Sequence, residues 1–236
     1  MRLHTKMVAT SIAAAALMAG NITATAAVAG NTVLTGDSVV ANPTLTDFLQ
    51  NKAKVKTNTG VGCVTDGSIA NEIAIASGGA HVDQYQCAGA SFATGGIHIE
   101  DTLRTAAQRG DLNPQTKNVV IVAGANDTYP YGSDVAASER AIRSGLRNAI
   151  SVAHHHSPNA KVIVVGYPHV SFNNMSCYNS GLGSSNPLPI PAGSTAGTEQ
   201  RLQNTLREVT QKTTLPSSTH GRCPKDTTPA PQTDGG

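Results

Sequence analysis

Two runs of β-branched residues, with a helical pattern between them, constrain the fold of this chain more than any other feature. The runs NVVIVA (residues 118–123) and KVIVVG (161–166) are continuous, as in parallel strands that are covered on both faces. A helix is predicted to begin near Asp134, a good N-cap residue. Its apolar face repeats at helical spacing: Ile142, Leu146, Ala149, Ile150 and Ala153. A strand, a helix and a strand in this order predict a right-handed βαβ unit.

Shorter patterns predict the remaining elements. Residues 32–35 (TVLT), which are followed by Gly36, predict a first strand, and residues 81–87 predict a weaker second one. Apolar residues at helical spacing predict further helices after Pro43, from Ile99 to about Gly110, and over residues 198–212. Residues 57–80 and 171–195 are rich in Gly, Ser, Asn and Thr and predict loops.

Strands that alternate with helices predict an α/β domain with a mainly parallel sheet. In such a sheet, ligands bind beyond the carboxyl ends of the strands. Residues that carry chemistry are therefore expected directly after a strand.

The first 29 residues are predicted to be a signal peptide. Arg2 and Lys6 precede an uncharged, mostly apolar run at residues 7–20, and small residues follow, with cleavage expected after Ala29. A buried N-terminal helix is the alternative interpretation. We expect a secreted or envelope-associated protein with a single domain at residues 30–215 and an irregular Pro/Thr-rich tail at 216–236.

Charge argues against polyanionic partners. The chain has 17 basic and 15 acidic residues, and two of the basic residues lie in the signal peptide, so the mature formal charge is zero. Binding to nucleic acid or anionic lipid rests on clustered Lys and Arg. No second apolar run is long enough to span a membrane. We expect a monomer that neither binds nucleic acid nor inserts stably into a membrane.

Four cysteines, Cys63, Cys87, Cys177 and Cys223, lie in the exported part. An even number in an oxidising compartment predicts two disulfides, for which three pairings exist. We favour Cys63–Cys87 and Cys177–Cys223, because each pair brackets one loop-rich region. A zinc site is the competing interpretation, but the sequence has no CxxC pair with neighbouring His ligands.

Three short motifs follow predicted strands. Gly36-Asp37-Ser38-Val39 follows the first strand, and a Ser at a helix start there exposes its hydroxyl and leaves a backbone N–H free. Gly124-Ala125-Asn126-Asp127 follows the strand at 118–123, and its Asn126 amide can donate to an oxyanion. The segment CAGAS at residues 87–91 contains Gly89, where a backbone N–H can approach a substrate. Each motif alone could be an ordinary turn.

Taken together, the motifs resemble the GDSL/SGNH hydrolase family, in particular its secreted actinobacterial branch. GDSV, CAGAS and GAND occur in the family's order, and the resemblance covers roughly residues 31–170. It implies a three-layer α/β/α sandwich with a flavodoxin-like sheet, and ester hydrolysis without a metal or organic cofactor. It also implies that Ser38 is the nucleophile and that Gly89 and Asn126 donate to the oxyanion.

The family's general base is a histidine in a C-terminal D-x-x-H block, which this sequence does not contain. The sequence ends Thr233-Asp234-Gly235-Gly236, and a histidine at the next position would complete that pattern. No β-prone run follows the last helix either, so a fifth strand is not found. His220, beside Cys223, is the first substitute, and His169 is the second.

Three classes of function follow. The first is a secreted carboxylic ester hydrolase acting on lipid, acyl-sugar or small esters, or a related envelope acyltransferase. The second is a catalytically impaired or truncated SGNH domain that binds a ligand or partner, and the missing D-x-x-H block favours it. The third, a nucleotide or FMN binder, lacks a GxGxxG or Walker pattern after the first strand.

Overall fold

A parallel sheet of β-branched strands forms the centre of the computed structural model, which describes residues 30–43, 59–131, 134–168, 171–172, 175–176, 190–191 and 195–211. The strands are β1 (Thr32–Gly36), β2 (Val82–Gln84), β3 (Asn118–Val122) and β4 (Lys161–Val164), in the order β2-β1-β3-β4. Every neighbouring pair is parallel. The chain leaves β1 for β2 on one side and then returns to β3 on the other, so its direction of winding reverses between β1 and β3.

Helices cover both faces of this sheet. They are α1 (Ser38–Ala41), α2 (Ser68–Ala76), α3 (Ile99–Gln108), a 3-10 turn (Ala125–Thr128), α4 (Val135–His156) and α5 (Thr195–Gln211). Helices α1 and α2 pack on one face, and α3, α4 and α5 pack on the other. The expected three-layer α/β/α sandwich is confirmed.

Side chains that alternate along the strands build the two core layers. In β1, Val33 faces the larger core under α3 and α4, whereas Leu34 faces the smaller core under α1 and α2. Strand β3 divides in the same way, with Val119 and Ile121 on the first side and Val120 and Val122 on the second. Burial on both faces explains why these strands are uninterrupted apolar runs rather than alternating ones.

The clearest sequence patterns are confirmed, and two loop predictions are wrong. The β1, β3, β4, α3, α4 and α5 patterns all form their elements, and Asp134 caps α4 by accepting from Ala137 N at 2.8 Å. Within the predicted loop 57–80, however, residues Ser68–Ala76 form α2. The predicted loop 171–195 contains three two-residue antiparallel strands, β5 (Ser171–Phe172), β6 (Met175–Ser176) and β7 (Ile190–Pro191).

Several predictions lie outside the described residues. They are the signal peptide, the helix after Pro43, the tail, Cys177, Cys223, His169 and His220. The predicted Cys63–Cys87 disulfide is confirmed, with its cysteines 24 positions apart in the sequence and a Cα–Cα distance of 5.2 Å. Among the described helices, none has both the length and the apolar character needed to cross a bilayer.

Two edges of the sheet are distinguished below. The carboxyl edge is formed by the residues that follow Gly36, Gln84, Val122 and Val164, where the parallel strands end. The amino edge is formed by the residues that precede Thr32, Val82, Asn118 and Lys161.

Candidate active site

The turn after β1 presents Ser38 at the carboxyl edge. The N–H of Asp37 donates to the carbonyl of Val122 on β3 at 3.0 Å, which fixes the direction of the chain as it leaves the strand. The Asp37 carboxylate caps α1 by accepting from Val39 N at 2.9 Å. This cap leaves the Ser38 side chain exposed, and within the described structure the N–H of Ser38 has no acceptor.

The segment after β2 brings Gly89 to the same edge. Cys87 donates its N–H to the carbonyl of Gly36 at 2.9 Å, and Ala90 closes a turn by donating to the carbonyl of Cys87 at 2.9 Å. Gly89 has a φ of +86°, a conformation that glycine adopts without strain. It is exposed, and its N–H meets no acceptor among the described residues.

The turn after β3 places Asn126 against the Gly89 segment. Gly124 begins this turn with a φ of +122°. Asn126 Nδ2 donates to the carbonyl of Ala90 at 2.8 Å. An amide nitrogen carries two hydrogens, so one remains for another acceptor.

Asp127 fixes the segment that follows Ala90. Its buried carboxylate accepts from the backbone N–H groups of Phe92 and Ala93, both at 2.8 Å, and from Thr94 Oγ1 at 3.1 Å. The turns after β2 and β3 are therefore joined by charge-assisted hydrogen bonds, which are stronger than neutral ones.

These contacts bring all three motifs to the carboxyl edge, at the point where the winding of the sheet reverses. The register pairs Gly36 with Val122, so β1 and β3 end side by side. Ser38 and Asn126 therefore follow the ends of adjacent strands. Crevices at such reversal points are where open α/β sheets bind ligands. An exposed hydroxyl, two free backbone N–H groups and an amide N–H can together hold an acyl group and its oxyanion.

A tyrosine after β4 connects two of these turns. The Tyr167 hydroxyl donates to Asp37 Oδ2 and accepts from Ala125 N at 3.1 Å. Burial raises the pKa of the Asp37 carboxyl above its usual value, and the hydrogen bond from Tyr167 opposes that rise. Burial, followed by the neighbouring charge of Asp37, raises the pKa of Tyr167 well above 10. The pair is thus a neutral phenol beside a carboxyl group.

No described histidine forms a hydrogen bond with Ser38. His81 pairs with Asp83 Oδ1 at 2.9 Å at the start of β2, and His154–156 end α4 at the amino edge. His98, which begins α3, lies toward the carboxyl edge, but no hydrogen bond joins it to Ser38. In the part of the chain that the structure describes, no three His, Cys, Asp or Glu side chains are placed to hold a metal ion.

Sequence reasoning missed three residues of this edge: Asp37, Asp127 and Tyr167. Both aspartates lie inside the motifs. An acidic residue directly after a buried strand could have been identified from the sequence as a candidate site residue. Tyr167 gave only a weak signal, as an aromatic residue directly after a predicted strand. Its partner Asp37 is 130 positions away, so no local pattern could have paired them.

A solved structure shares this fold. The chain is similar to the phospholipase A1 from Streptomyces albidoflavus, with a TM-score of 0.53 and 20% identity over 81% of this chain and 79% of that one. Its fold is that of the GDSL/SGNH hydrolases. No model of a protein family matches the sequence, and no curated protein matches it.

Two further similar structures are more distant. The carbohydrate acetylesterase Est24 from Sinorhizobium meliloti has a TM-score of 0.49 and 14% identity over 80% of this chain and 83% of that one. The extracellular lipase from Streptomyces rimosus has a TM-score of 0.46 and 18% identity over 78% and 75%. The phospholipase A1 structure and the parallel sheet confirm the fold that the motifs implied, whereas the roles of Ser38, Gly89 and Asn126 stay predictions.

Proposed function

We propose that this chain is a secreted carboxylic ester hydrolase of the SGNH type, acting through an acyl-Ser38 intermediate. The observation that carries the proposal is the junction of three turns at the carboxyl edge, where Asn126 bonds the Gly89 segment and Asp37 bonds β3. The Cys63–Cys87 disulfide supports an oxidising compartment. A similar fold serves a phospholipase A1, so lipid esters are the first substrates to test.

The reaction would proceed in two steps. Ser38 Oγ attacks the ester carbonyl carbon while its proton passes to a base, and the N–H groups of Ser38, Gly89 and Asn126 donate to the oxyanion. The carbon–oxygen bond to the alcohol then breaks, and the alcohol leaves with the proton. Water, deprotonated by the same base, attacks the acyl carbon, the bond to Ser38 Oγ breaks, and Ser38 takes the proton from the base as the acid is released. No step needs a metal or an organic cofactor.

The base is the open part of this proposal. The sequence offers His220 and then His169, or a histidine beyond Gly236, as candidates for the base. The structure adds His98, because it begins α3 at the carboxyl edge of the sheet. A serine without a base keeps only the contribution of binding and oxyanion stabilisation, about 10³–10⁴ over water. We therefore expect slow turnover by this chain unless one of these histidines reaches Ser38.

Hydrolysis of p-nitrophenyl butyrate tests the proposal. The parent is compared with Ser38→Ala and with Ser68→Ala, a matched control because Ser68 also begins a helix and is also exposed. We expect Ser38→Ala alone to remove the rate above background. Among His220→Ala, His169→Ala and His98→Ala, the variant whose rate collapses identifies the base. Equal rates for the parent and Ser38→Ala would reject the nucleophile.

A binding domain without turnover is the second candidate function. It is favoured by one observation: none of the described histidines forms a hydrogen bond with Ser38. Such a domain would use the same free N–H groups to hold a carboxylate or ester without cleaving it. Calorimetric titration with butyrate, beside an unchanged background rate, would support this alternative.

A further inference from the structure

Tyr167 belongs to none of the three motifs, yet its hydroxyl lies between two of them. It follows β4, donates to Asp37 in the turn after β1, and accepts from Ala125 in the turn after β3. We propose that Tyr167 is a positioning residue, which fixes the turn that carries Ser38 relative to the turn that carries Asn126. This inference rests on the proposed esterase function and extends it.

The hydrogen bonds form one continuous chain. The N–H of Ala125 donates to the Tyr167 oxygen, the Tyr167 hydroxyl donates to Asp37 Oδ2, and Asp37 Oδ1 accepts from the N–H of Val39. The Tyr167 hydroxyl accepts one hydrogen bond and donates one, and each oxygen of the Asp37 carboxylate accepts one. A displacement of either turn would therefore break a partly buried hydrogen bond, and an unmade bond to the buried Asp37 carboxylate is costly.

Asp37 depends on this chain because it is almost fully buried, with 1% of its surface exposed. Its side chain accepts from Val39 N through Oδ1 and from the Tyr167 hydroxyl through Oδ2. Without that hydroxyl, one buried carboxylate oxygen has no donor. The carboxyl group would then bind a proton or rotate, and either change would loosen the cap that orients Ser38.

Tyr167 is itself held from the other side. Its carbonyl accepts from Gln203 Nε2 on α5 at 2.6 Å. The backbone of residue 167 is thus fixed to a helix of the larger core, while its hydroxyl reaches the two turns. Tyr167 can act as a fixed point because its own position does not depend on either turn.

A second tyrosine provides a matched control. The Tyr85 hydroxyl donates to Asp111 Oδ2 at 2.5 Å, and Asp111 lies in the segment that leads from α3 to the amino end of β3. Tyr85→Phe removes the same atom from the same kind of pair, and this hydroxyl bonds Asp111 rather than either of the turns that carry Ser38 and Asn126. A purely structural role of Tyr167 would make the two variants behave alike.

The experiment measures kcat and KM on p-nitrophenyl butyrate, the Tm, and amide hydrogen exchange for the full chain, Tyr167→Phe and Tyr85→Phe. We expect Tyr167→Phe to lower kcat by up to about 100-fold, the loss that a displacement of about 1 Å can cause, with KM changed less than about twofold. Its exchange should rise at both Val39 and Ala125. Tyr85→Phe should lower the Tm and leave kcat unchanged.

Two results would overturn the inference. One is an unchanged kcat in Tyr167→Phe, and the other is an equal loss of kcat in both variants. If Ser38→Ala matches the parent rate, the esterase proposal fails instead, and amide hydrogen exchange alone tests the link between the two turns. Increased exchange at Ala125 but not at Val39 would then reject that link.

A double variant gives a further test. Asp37→Asn combined with Tyr167→Phe should lower kcat no more than the worse single variant does, because the effects of residues that act as a unit are not additive.

Discussion

The protein contains two tyrosine–aspartate hydrogen bonds, and the two bonds connect different parts of the fold. Tyr85 donates to Asp111 near the amino edge, and Tyr167 donates to Asp37 at the carboxyl edge. In both pairs burial is the largest cause of a raised tyrosine pKa, so both phenols stay protonated at neutral pH. The two pairs therefore share their chemistry.

Their surroundings differ. Around Asp111, Asn31 Nδ2 donates to the Asp111 carbonyl and to Asp83 Oδ2, both at 2.6 Å, so the network ties the chain just before β1 to its neighbours. The Tyr85 hydroxyl ends this network with a single bond. The Tyr167 hydroxyl instead continues through Ala125 into the Asn126 turn. One pair secures where strands begin, and the other couples two turns that carry candidate catalytic groups.

The largest expected effect separates the edges by activity. Asn126→Ala should lower kcat by about 10²–10³-fold, as the loss of one oxyanion donor does elsewhere. Asn113→Ala is the matched control near the amino edge, because Asn113 Nδ2 donates to the Gly110 carbonyl at 3.0 Å, much as Asn126 donates to Ala90. Both variants should lose about 1 kcal/mol of stability, measured by urea unfolding. An equal kcat in the two variants would erase the distinction between the edges.

The next largest effect concerns the covalent link behind the Gly89 segment. Replacing Cys63 and Cys87 with Ala should lower the free energy of unfolding by about 3.5 kcal/mol in the chain-entropy model for this loop. Urea unfolding of the oxidised parent and the double variant measures this difference. An unchanged unfolding midpoint would mean that the hydrogen bonds alone hold the Gly89 segment.

Mass spectrometry of the unreduced parent should find no free thiol, including at Cys177 and Cys223.

A smaller effect tests how closely the carboxyl edge is packed. A Cβ at Gly36 would overlap the Val122 carbonyl oxygen and lie 2.5 Å from Val40 Cγ2. Gly36→Ala should therefore cost about 1–3 kcal/mol, as overpacking does. A Cβ at Gly96 would meet no atom within 4 Å, so Gly96→Ala should leave the Tm unchanged. Equal Tm values for the two variants would contradict the close packing of the β1 turn.

The fold could be predicted from the sequence where burial leaves a local pattern. Strands β3 and β4 are covered on both faces, so their β-branched runs are continuous, and α4 has one long apolar face. Helix α2 was missed because the Gly- and Ser-rich composition of its region masked Ile69 and Ile73, which face the smaller core four positions apart. The two-residue strands β5, β6 and β7 are too short to show a period.

The candidate site divides in the same way. Ser38, Gly89 and Asn126 stand in short motifs directly after strands, so their placement at one edge followed from the parallel sheet. Tyr167 could not be paired with Asp37 from the sequence, because the contact forms only when β4 is added beside β3. Contacts between turns of separate strands depend on the assembled sheet and leave no local period.

The smallest expected effect is a pH dependence that belongs to Asp37. Burial raises its pKa above 3.8 in the folded state, so between 3.8 and that raised value the folded protein binds more protons than the unfolded chain. The free energy of unfolding therefore falls as the pH rises through this window. Asp37→Asn removes the titrating group, so the stability of the parent relative to this variant should decline as the pH rises above 3.8 and level off above the raised pKa.

Tyr167→Phe sharpens the same measurement, because the hydrogen bond from Tyr167 lowers the Asp37 pKa and opposes the effect of burial. Without it the pKa of Asp37 should rise further, and the decline in stability should extend to higher pH. Tyr85→Phe should keep the part of the pH dependence that comes from Asp37, since Tyr85 does not contact Asp37. Urea unfolding of the four proteins at matched pH values measures the slopes, and subtracting one protein from another cancels the titration of the other carboxyl groups. A parent and an Asp37→Asn variant with parallel pH profiles would show that Asp37 titrates alike in the folded and unfolded chain, so that its burial at the carboxyl edge costs the charged form nothing.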